Sequence, residues 1–167
     1  MTQSVNVDSE ALLSQAVLED DSASLSPAQN QGPDYSCIFH SGRFLTVAQT
    51  PRGKIPLIVW QSEAFGSQWT PEARCKAVSG RFQSFAHRDQ LGYISTGELN
   101  NYPIICVSEE YGDCLSNGLL LTLEPQDNPT LVLKELFNLS DAITRSTTKP
   151  VIDLEYLLEE KLSLIHI

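Results

Sequence analysis

Four cysteines constrain the fold of this 167-residue chain more than any other feature of its sequence. They are Cys37, Cys75, Cys106 and Cys114, and the closest two are eight positions apart. Structural zinc sites usually need close pairs such as C-x₂-C, which this spacing does not offer. An even number of cysteines in a small domain favours two disulfides, in any of three pairings. Reduced, buried thiols are the main alternative, and zinc is the less favoured one.

The first 34 residues differ in composition from the rest of the chain. They contain no Lys, Arg or aromatic residue, and their acidic residues are Asp8, Glu10, Glu19, Asp20, Asp21 and Asp34. Such a segment has too little apolar area to offset the entropy that is lost on ordering it. We therefore expect residues 1–34 to form a flexible acidic leader ahead of a folded domain over residues 35–161.

The charge of the chain argues against some classes of partner. The formal net charge is −10; six negative charges lie in the leader, and the remainder has 15 acidic and 11 basic residues. Because neither part shows a basic stripe, we expect no direct binding to nucleic acid. No apolar run is long enough to be a transmembrane segment, and residues 1–30 lack the basic and apolar regions of a secretory signal. We expect either that the protein is not exported or that its true start lies upstream.

The last six residues, 162–167, read Leu-Ser-Leu-Ile-His-Ile. One translation frame of the transposase adapter of shotgun sequencing libraries gives this string, and adapter read-through occurs at the end of a chain. We therefore expect residues 162–167 to be a sequencing-adapter artefact and give His166 no functional role. The alternative is a genuine short apolar tail.

The apolar pattern predicts two groups of three strands. Alternating or β-branched runs bounded by turn residues lie at 37–39, 44–48, 55–60, 93–96, 103–107 and 118–123. In the last run, Leu119, Leu121 and Leu123 are expected to share one face of the strand. The Pro-Gly turn over residues 50–54 and the Gly-Asn turn over residues 97–101 favour antiparallel hairpins.

Three helices are expected between and after these strands. Thr70 suits an N-cap and Pro71 the first helical position. The apolar residues that follow recur at three- and four-residue steps and are Cys75, Val78, Phe82 and Phe85. Further helices are expected from Thr130 and over residues 152–158. The order β-β-β-α-β-β-β-α-α predicts an α+β fold, with a mainly antiparallel sheet of about five to six strands and two to three helices packed on one side.

The predicted elements suggest how the cysteines pair. Cys75 lies on the apolar stripe of the first helix and Cys37 opens the first strand, so a bond between them would tie helix to sheet. Cys106 ends a strand and Cys114 follows after a short loop, which favours a second bond. We predict the pairs Cys37–Cys75 and Cys106–Cys114, and with them an oxidising compartment.

Four stretches of sequence together carry a family pattern. They read Thr-Val-Ala-x-Thr-Pro-Arg-Gly at 46–53, Trp-x-Ser-x₂-Phe-x₃-Trp-Thr-Pro-x₂-Arg-Cys-x₂-Val-x₂-Arg-Phe at 60–82, Tyr-Ile-Ser-Thr-Gly-x₂-Asn-x₂-Pro-Ile-Ile-Cys-Val at 93–107, and Leu-Leu-Leu-Thr-Leu-x-Pro at 119–125. Over residues 35–158 the sequence resembles the circadian oscillating polypeptide (COP) family of cyanobacteria. The resemblance implies an exported or membrane-associated protein of unknown biochemical activity, in the periplasm, in the thylakoid lumen or at a membrane. It supplies no catalytic or ligand residues.

Aromatic and arginine side chains around one loop form a candidate binding patch. Its predicted members are Trp60, Phe65, Trp69, Arg52, Arg74 and Arg81. Such residues on a rigid scaffold commonly dominate binding surfaces. The alternative interpretation is that both tryptophan rings fill the core beneath the loop.

Catalytic chemistry has weaker support in the sequence. His40 and His87 are the histidines left to consider, and no nucleophile lies in a recognisable local motif such as G-x-S-x-G. No metal-ligand spacing or cofactor motif occurs, so we expect neither a metal nor a cofactor. We therefore predict a non-catalytic binding module of the cyanobacterial cell envelope or lumen whose partner is a protein or another envelope component. A small hydrolase using His40 or His87 and an inhibitor or assembly factor presenting residues 61–69 are the alternatives.

Overall fold

The computed structural model describes residues 32–61, 70–139 and 149–165, without the side chain of Ile165. Apart from Gly32, these residues belong to one structural unit that begins at Pro33. The predicted leader therefore lies outside the described residues, except for its last three positions. Phe65, Trp69 and residues 166–167 also lie outside them.

Three antiparallel strands form the N-terminal sheet: β1 (Asp34–His40), β2 (Arg43–Thr50) and β3 (Gly53–Trp60), in that order. The turn between β1 and β2 consists of Ser41 and Gly42, whose φ angles are 55° and 80°. Positive φ at both central residues matches the right-handed twist of the strands, so this two-residue turn closes a tight hairpin. The three strands predicted for this region are confirmed, with longer bounds.

Helix α1 (Pro71–His87) packs against this sheet. The Thr70 side chain accepts a hydrogen bond from the backbone N–H of Ala73, and Pro71 opens the helix, as the sequence predicted. The four residues of the predicted apolar stripe are all buried: Cys75, Val78, Phe82 and Phe85.

Four further antiparallel strands form the C-terminal sheet. They are β4 (Tyr93–Leu99), β5 (Tyr102–Ser108), β6 (Cys114–Thr122) and β7 (Val151–Asp153), arranged β6-β5-β4-β7. The α+β class is confirmed, and the structure refines its architecture. The seven strands of the described residues form two sheets, whereas one sheet of about five to six strands was expected.

Two helices complete the described chain, α2 (Pro129–Leu136) and α3 (Leu154–Ile165). The Asn128 side chain caps α2 by accepting hydrogen bonds from two backbone N–H groups of its first turn. Helix α2 packs against β3, β4 and β5, and α3 packs against β3 and β7. Leu162 of α3 is buried, and the predicted artefactual origin of residues 162–167 stays a prediction.

The prediction that Leu119, Leu121 and Leu123 share one face of β6 is wrong in one respect. Leu120 is only 1% exposed, whereas Leu119 and Leu121 are half-buried. A β-bulge is the reason: Leu119 lies opposite Cys106 and Leu121 opposite Ile105, so Leu120 is an additional residue in β6. The bulge therefore interrupts the simple alternation from which the face was predicted.

Candidate interaction surface

Two disulfides cross-link elements of the domain. Cys37 of β1 is bonded to Cys75 of α1 with the Cα atoms 5.6 Å apart, and Cys106 of β5 is bonded to Cys114 of β6 with the Cα atoms 5.7 Å apart. This is the pairing that the sequence predicted. Because all four cysteines are bonded, no thiol is available as a nucleophile or a metal ligand.

A buried polar contact joins three elements beneath the surface. The Trp60 indole N–H of β3 donates to Thr46 Oγ1 of β2 at 2.9 Å, and Ser79 Oγ of α1 donates to the same oxygen at 2.9 Å. Trp60, Thr46 and Ser79 are each at most 3% exposed. The hydroxyl of Thr46 therefore satisfies two donors that have no access to water. Trp60 is a core residue, as the alternative interpretation of the patch proposed for this ring.

Three aromatic side chains lie side by side across the N-terminal sheet. Phe39 of β1 is opposite Phe44 of β2, which in turn is opposite Trp60 of β3. Directly opposite residues project from the same face of a sheet, and the rings of Phe39 and Phe44 are 4.7 Å apart between centroids. Exposure changes along this set: Trp60 is 2% exposed, Phe44 is half-buried, and Phe39 is 62% exposed. We call Phe39, Phe44 and Trp60 the aromatic row.

The aromatic row lies where the loop of the predicted patch begins. Trp60 ends β3, and Thr70, at the other end of residues 61–69, caps α1. The same face of the sheet carries Thr46, which contacts α1 through Ser79. Both ends of the loop are therefore held at this part of the domain. Phe65 and Trp69 lie outside the described residues, so their place in the patch stays a prediction.

The three arginines of the predicted patch are not gathered at one place. Arg52 lies in the turn at the start of β3, the opposite end of that strand from Trp60, and forms an exposed ion pair with Glu159 at 3.2 Å. Arg74 is 2% exposed. Arg81 donates from its guanidinium to the backbone oxygen of Leu120 at 2.7 Å, which links α1 to β6.

Sequence reasoning did not select Phe39 and Phe44 for the surface, although a signal was present. The two phenylalanines flank the predicted turn over residues 40–43, and a two-residue hairpin places such flanking residues opposite each other. A strand pair at the end of a hairpin is also less covered by neighbouring elements than a central pair. The combination identifies an aromatic pair with one exposed member once the hairpin is assumed.

The two histidines are exposed. His40 ends β1, and His87 ends α1, where its Nε2 is 3.0 Å from Gln83 Nε2. Within residues 32–61, 70–139 and 149–165, no hydrogen bond joins either histidine to a serine or a cysteine. The geometry gives His87 a contact along its own helix.

Charge is divided unevenly between the two halves of the domain sequence. Residues 33–92, which include the N-terminal sheet and α1, have seven Lys and Arg against four Asp and Glu, a net charge of +3. Residues 93–167 have four Lys and Arg against twelve Asp and Glu, a net charge of −8. The aromatic row therefore lies in the basic half, with the exposed side chain of Arg43 next to Phe44 in the sequence.

Burial rather than charge pairing dominates the clear shifts in ionisation. Tyr35 lies two residues before Cys37 on β1 and is buried with its ring against that of Phe82. This burial raises the pKa of the Tyr35 phenol. Burial lowers the pKa of the Lys161 ammonium on α3, while nearby Glu160 opposes that shift. Neither group lies in the aromatic row.

Comparison with known proteins gives one family match. A family model described as circadian oscillating protein COP23 matches residues 34–159, which is most of the chain. No curated protein and no solved structure matches the chain. Among the described residues, no helix has the length and apolar character that crossing a membrane requires.

Proposed function

The chain belongs to the circadian oscillating protein COP23 family, and from that premise we propose that it is a non-catalytic interaction module of an oxidising compartment. The exposed ring of Phe39 carries this proposal. It is an apolar aromatic side chain, 62% exposed, on a strand that a disulfide bonds to the adjacent helix. Aromatic side chains in such positions are frequent contributors to binding energy.

The residues that pack against Phe39 favour binding, because they are already ordered before a partner binds. The ring of Phe39 packs at a tilt against that of Phe44, and the next residue of the row, Trp60, is fixed by its hydrogen bond to Thr46. A preorganised surface loses less side-chain and backbone entropy when a partner binds. Covering a phenylalanine side chain contributes about 1.5–3 kcal/mol through the hydrophobic effect.

The two cysteine pairs bear on the compartment in which the protein works. Two disulfides indicate an oxidising, extracytoplasmic environment. Within a cyanobacterium we propose the periplasm, the thylakoid lumen or the cell envelope, with a protein or another envelope component as partner. The family resemblance supports this assignment.

Site-specific photo-crosslinking tests the proposal. A benzoyl-phenylalanine would replace Phe39 in the oxidised full chain, which would then be irradiated in a cyanobacterial membrane extract. Leu131 is the matched control because it is also an exposed apolar residue, 53% exposed, but lies on α2. We expect a discrete adduct from position 39 that position 131 does not give.

A second variant separates the role of the ring from the chemistry of the probe. Unlabelled Phe39→Ala should compete for the adduct less well than the unlabelled wild-type chain, whereas Leu131→Ala should compete as well as wild type. Equal crosslinking from both positions, or equal competition by both variants, contradicts the proposal. Turnover of an esterase or peptidase substrate that is lost in His40→Ala or His87→Ala would also overturn it.

A further inference from the structure

The outer edge of β1 lies beside the exposed ring of Phe39. The N-terminal sheet has the order β1-β2-β3, so β1 is an edge strand, and no strand of the described part of the chain pairs with its outer side. An edge strand presents unpaired backbone N–H and C=O groups that can pair with another extended chain. Which residues present them depends on the hydrogen-bond pattern between β1 and β2.

Two observations give the same pattern. The backbone N–H of Tyr35 donates to Gln83 Oε1 of α1 at 2.6 Å, so it points away from β2. Antiparallel pairs alternate between hydrogen-bonded and non-hydrogen-bonded positions, and Tyr35 is therefore at a non-hydrogen-bonded position. Cys37 and Phe39 follow at steps of two and share that character. The turn gives the same result independently. His40 and Arg43 flank the two-residue turn, and in tight hairpins this flanking pair is hydrogen-bonded. The next pair is therefore non-hydrogen-bonded, so the backbone N–H and C=O of Phe39 point away from β2.

Helix α1 forms a wall along this edge. Cys75 is bonded to Cys37 and Gln83 contacts Tyr35, so α1 runs antiparallel to β1 along it. Lys76 and Gln83 are two helical turns apart and lie on the same side of α1. The exposed side chain of Lys76 is thus near the level of Cys37, while Gln83 occupies the edge at Tyr35. A groove results, with the backbone of Cys37 and Phe39 along one side and α1 along the other.

We propose that this groove takes an extended, acidic segment of a partner protein, which adds to β1 as a further antiparallel strand. The inference rests on the proposed interaction function and names its binding mode. Cys37 and Phe39 each offer one outward donor and one outward acceptor, which an added strand satisfies. Gln83 ends the available edge, because its amide oxygen already occupies the N–H of Tyr35.

Charge determines the kind of partner. The half of the domain sequence that contains the groove has a net charge of +3, whereas the other half has −8. Lys76 along the wall is exposed, and Arg43, which opens β2 opposite the last residue of β1, is exposed on the other face of the sheet. Lys76 pairs with Glu72 at 2.7 Å, but an exposed ion pair of this kind is weak and leaves the ammonium able to meet an added carboxylate. Acidic side chains on the two sides of an added strand would meet these two cations, and an apolar side chain on the α1 side would meet the ring of Phe39.

A peptide selection with an amide-exchange readout tests the binding mode. Short random peptides displayed on phage would be selected on the oxidised full chain, and the enriched peptides would be titrated into the ¹⁵N-labelled protein. We expect acidic sequences that also contain apolar residues and that slow the exchange of the Cys37 and Phe39 amides, which should exchange fast in the free protein. The amides of Ser36 and Ile38, which point towards β2, should be slow in both states.

Two substitutions at one position separate the edge from the ring. Phe39→Ala removes the ring and keeps the outward N–H, whereas Phe39→Pro removes both. A proline is tolerated in an edge strand where its missing N–H faces outward. We expect Phe39→Pro to bind the selected peptides about tenfold more weakly than Phe39→Ala, since a lost backbone hydrogen bond has about this effect. Circular dichroism and thermal melting would establish that both variants are folded at the assay temperature.

The outcomes distinguish this inference from the function on which it rests. Equal affinity of the two variants, both weaker than wild type, overturns strand addition and leaves the role of the Phe39 ring intact. Equal affinity of Phe39→Ala and wild type contradicts the proposed function itself. Failure to enrich any peptide, or enrichment of basic ones, overturns the acidic partner. Protection of the Cys37 and Phe39 amides that grows with protein concentration alone would assign the edge to a second copy of the chain.

Discussion

Replacing Thr46 by valine tests whether the buried hydroxyl holds the aromatic row in place. Valine retains the branched shape of threonine but offers no acceptor to the Trp60 indole N–H or to Ser79 Oγ, both 2.9 Å from Thr46 Oγ1. The indole donor cannot reorient within a packed core, so its loss costs about 1–3 kcal/mol. The Ser79 hydroxyl can turn towards a backbone carbonyl of its own helix, which limits its contribution.

The expected magnitude is a loss of about 2 kcal/mol in the free energy of unfolding, after a small gain from burying one more methyl group. For a domain of this size that corresponds to about 7 °C in melting temperature. Thr46→Ser is the matched control. It retains the acceptor and removes one methyl group, at a cost of about 1 kcal/mol.

Urea unfolding without reductant, followed by far-ultraviolet circular dichroism, measures these differences without relying on tryptophan fluorescence. A double-mutant cycle with Trp60→Phe isolates the contact, and we expect a coupling of about 1–2 kcal/mol between positions 46 and 60. A coupling near zero, or a valine variant as stable as the serine variant, would refute the argument that this hydroxyl supports the row.

Three further perturbations test the surrounding structure. Replacing Cys37 and Cys75 by serine should lower the unfolding free energy by about 4 kcal/mol, and the same double replacement in the β5–β6 disulfide should lower it by about 2.5 kcal/mol. The difference arises because the two bonds span 38 and 8 positions. Equal losses for the two variants in urea titrations would contradict this. Gly97→Ala places a Cβ atom 2.5 Å from the bonded sulfur of Cys114 and should cost about 2 kcal/mol, whereas Gly92→Ala, which meets nothing within 4 Å, should melt close to wild type. Burial raises the pKa of the Tyr35 phenol, so above pH about 10 the phenol ionises in the unfolded state but stays protonated in the folded state, and the free energy of unfolding falls as pH rises. Tyr35→Phe should lack this contribution, which urea midpoints measured above pH about 10 would show.

Local sequence signals predicted the elements that depend on nearby residues. The capping side chain of Thr70 and the apolar stripe of α1 act within a few positions of chain, and both are as predicted. The two cysteine pairs are also as predicted, although one spans 38 positions, because each joins elements that the sequence already indicated. Patterns of this kind identify an element and the face that it buries.

Features that depend on pairing between distant strands could not be predicted in the same way. An alternating run predicts a strand but does not tell which neighbour its two edges meet, so one sheet was expected where the described residues form two. Strand β7 has three residues, too few to show a period. The bulge at Leu120 arises from its position opposite Ile105 and Cys106, and nothing in the β6 sequence alone requires it.

The predicted binding patch shows the same division between local and distant information. Sequence reasoning placed the patch at the end of β3 but could not tell that Trp60 donates to Thr46, which lies two positions from Phe44 on β2. The exposed member of the row comes from β1, because β3, the other outer strand of this sheet, packs against α2 and α3. The surface is therefore a product of sheet order more than of the residues around the loop.

The disulfide between Cys37 and Cys75 links redox state to the proposed binding mode. Cys37 is both the bonded residue and one of the two residues whose backbone faces the groove, so the bond sets the distance between the edge of β1 and α1. Without this bond, β1 and α1 have to be ordered relative to each other when the partner binds. The conformational entropy lost in that ordering weakens binding. Replacing both Cys37 and Cys75 by serine should therefore lower the affinity for the selected peptides, even at temperatures where the variant is folded. The matched double replacement in the β5–β6 disulfide should bind like wild type, and equal loss in both variants would show that the bond acts only through global stability.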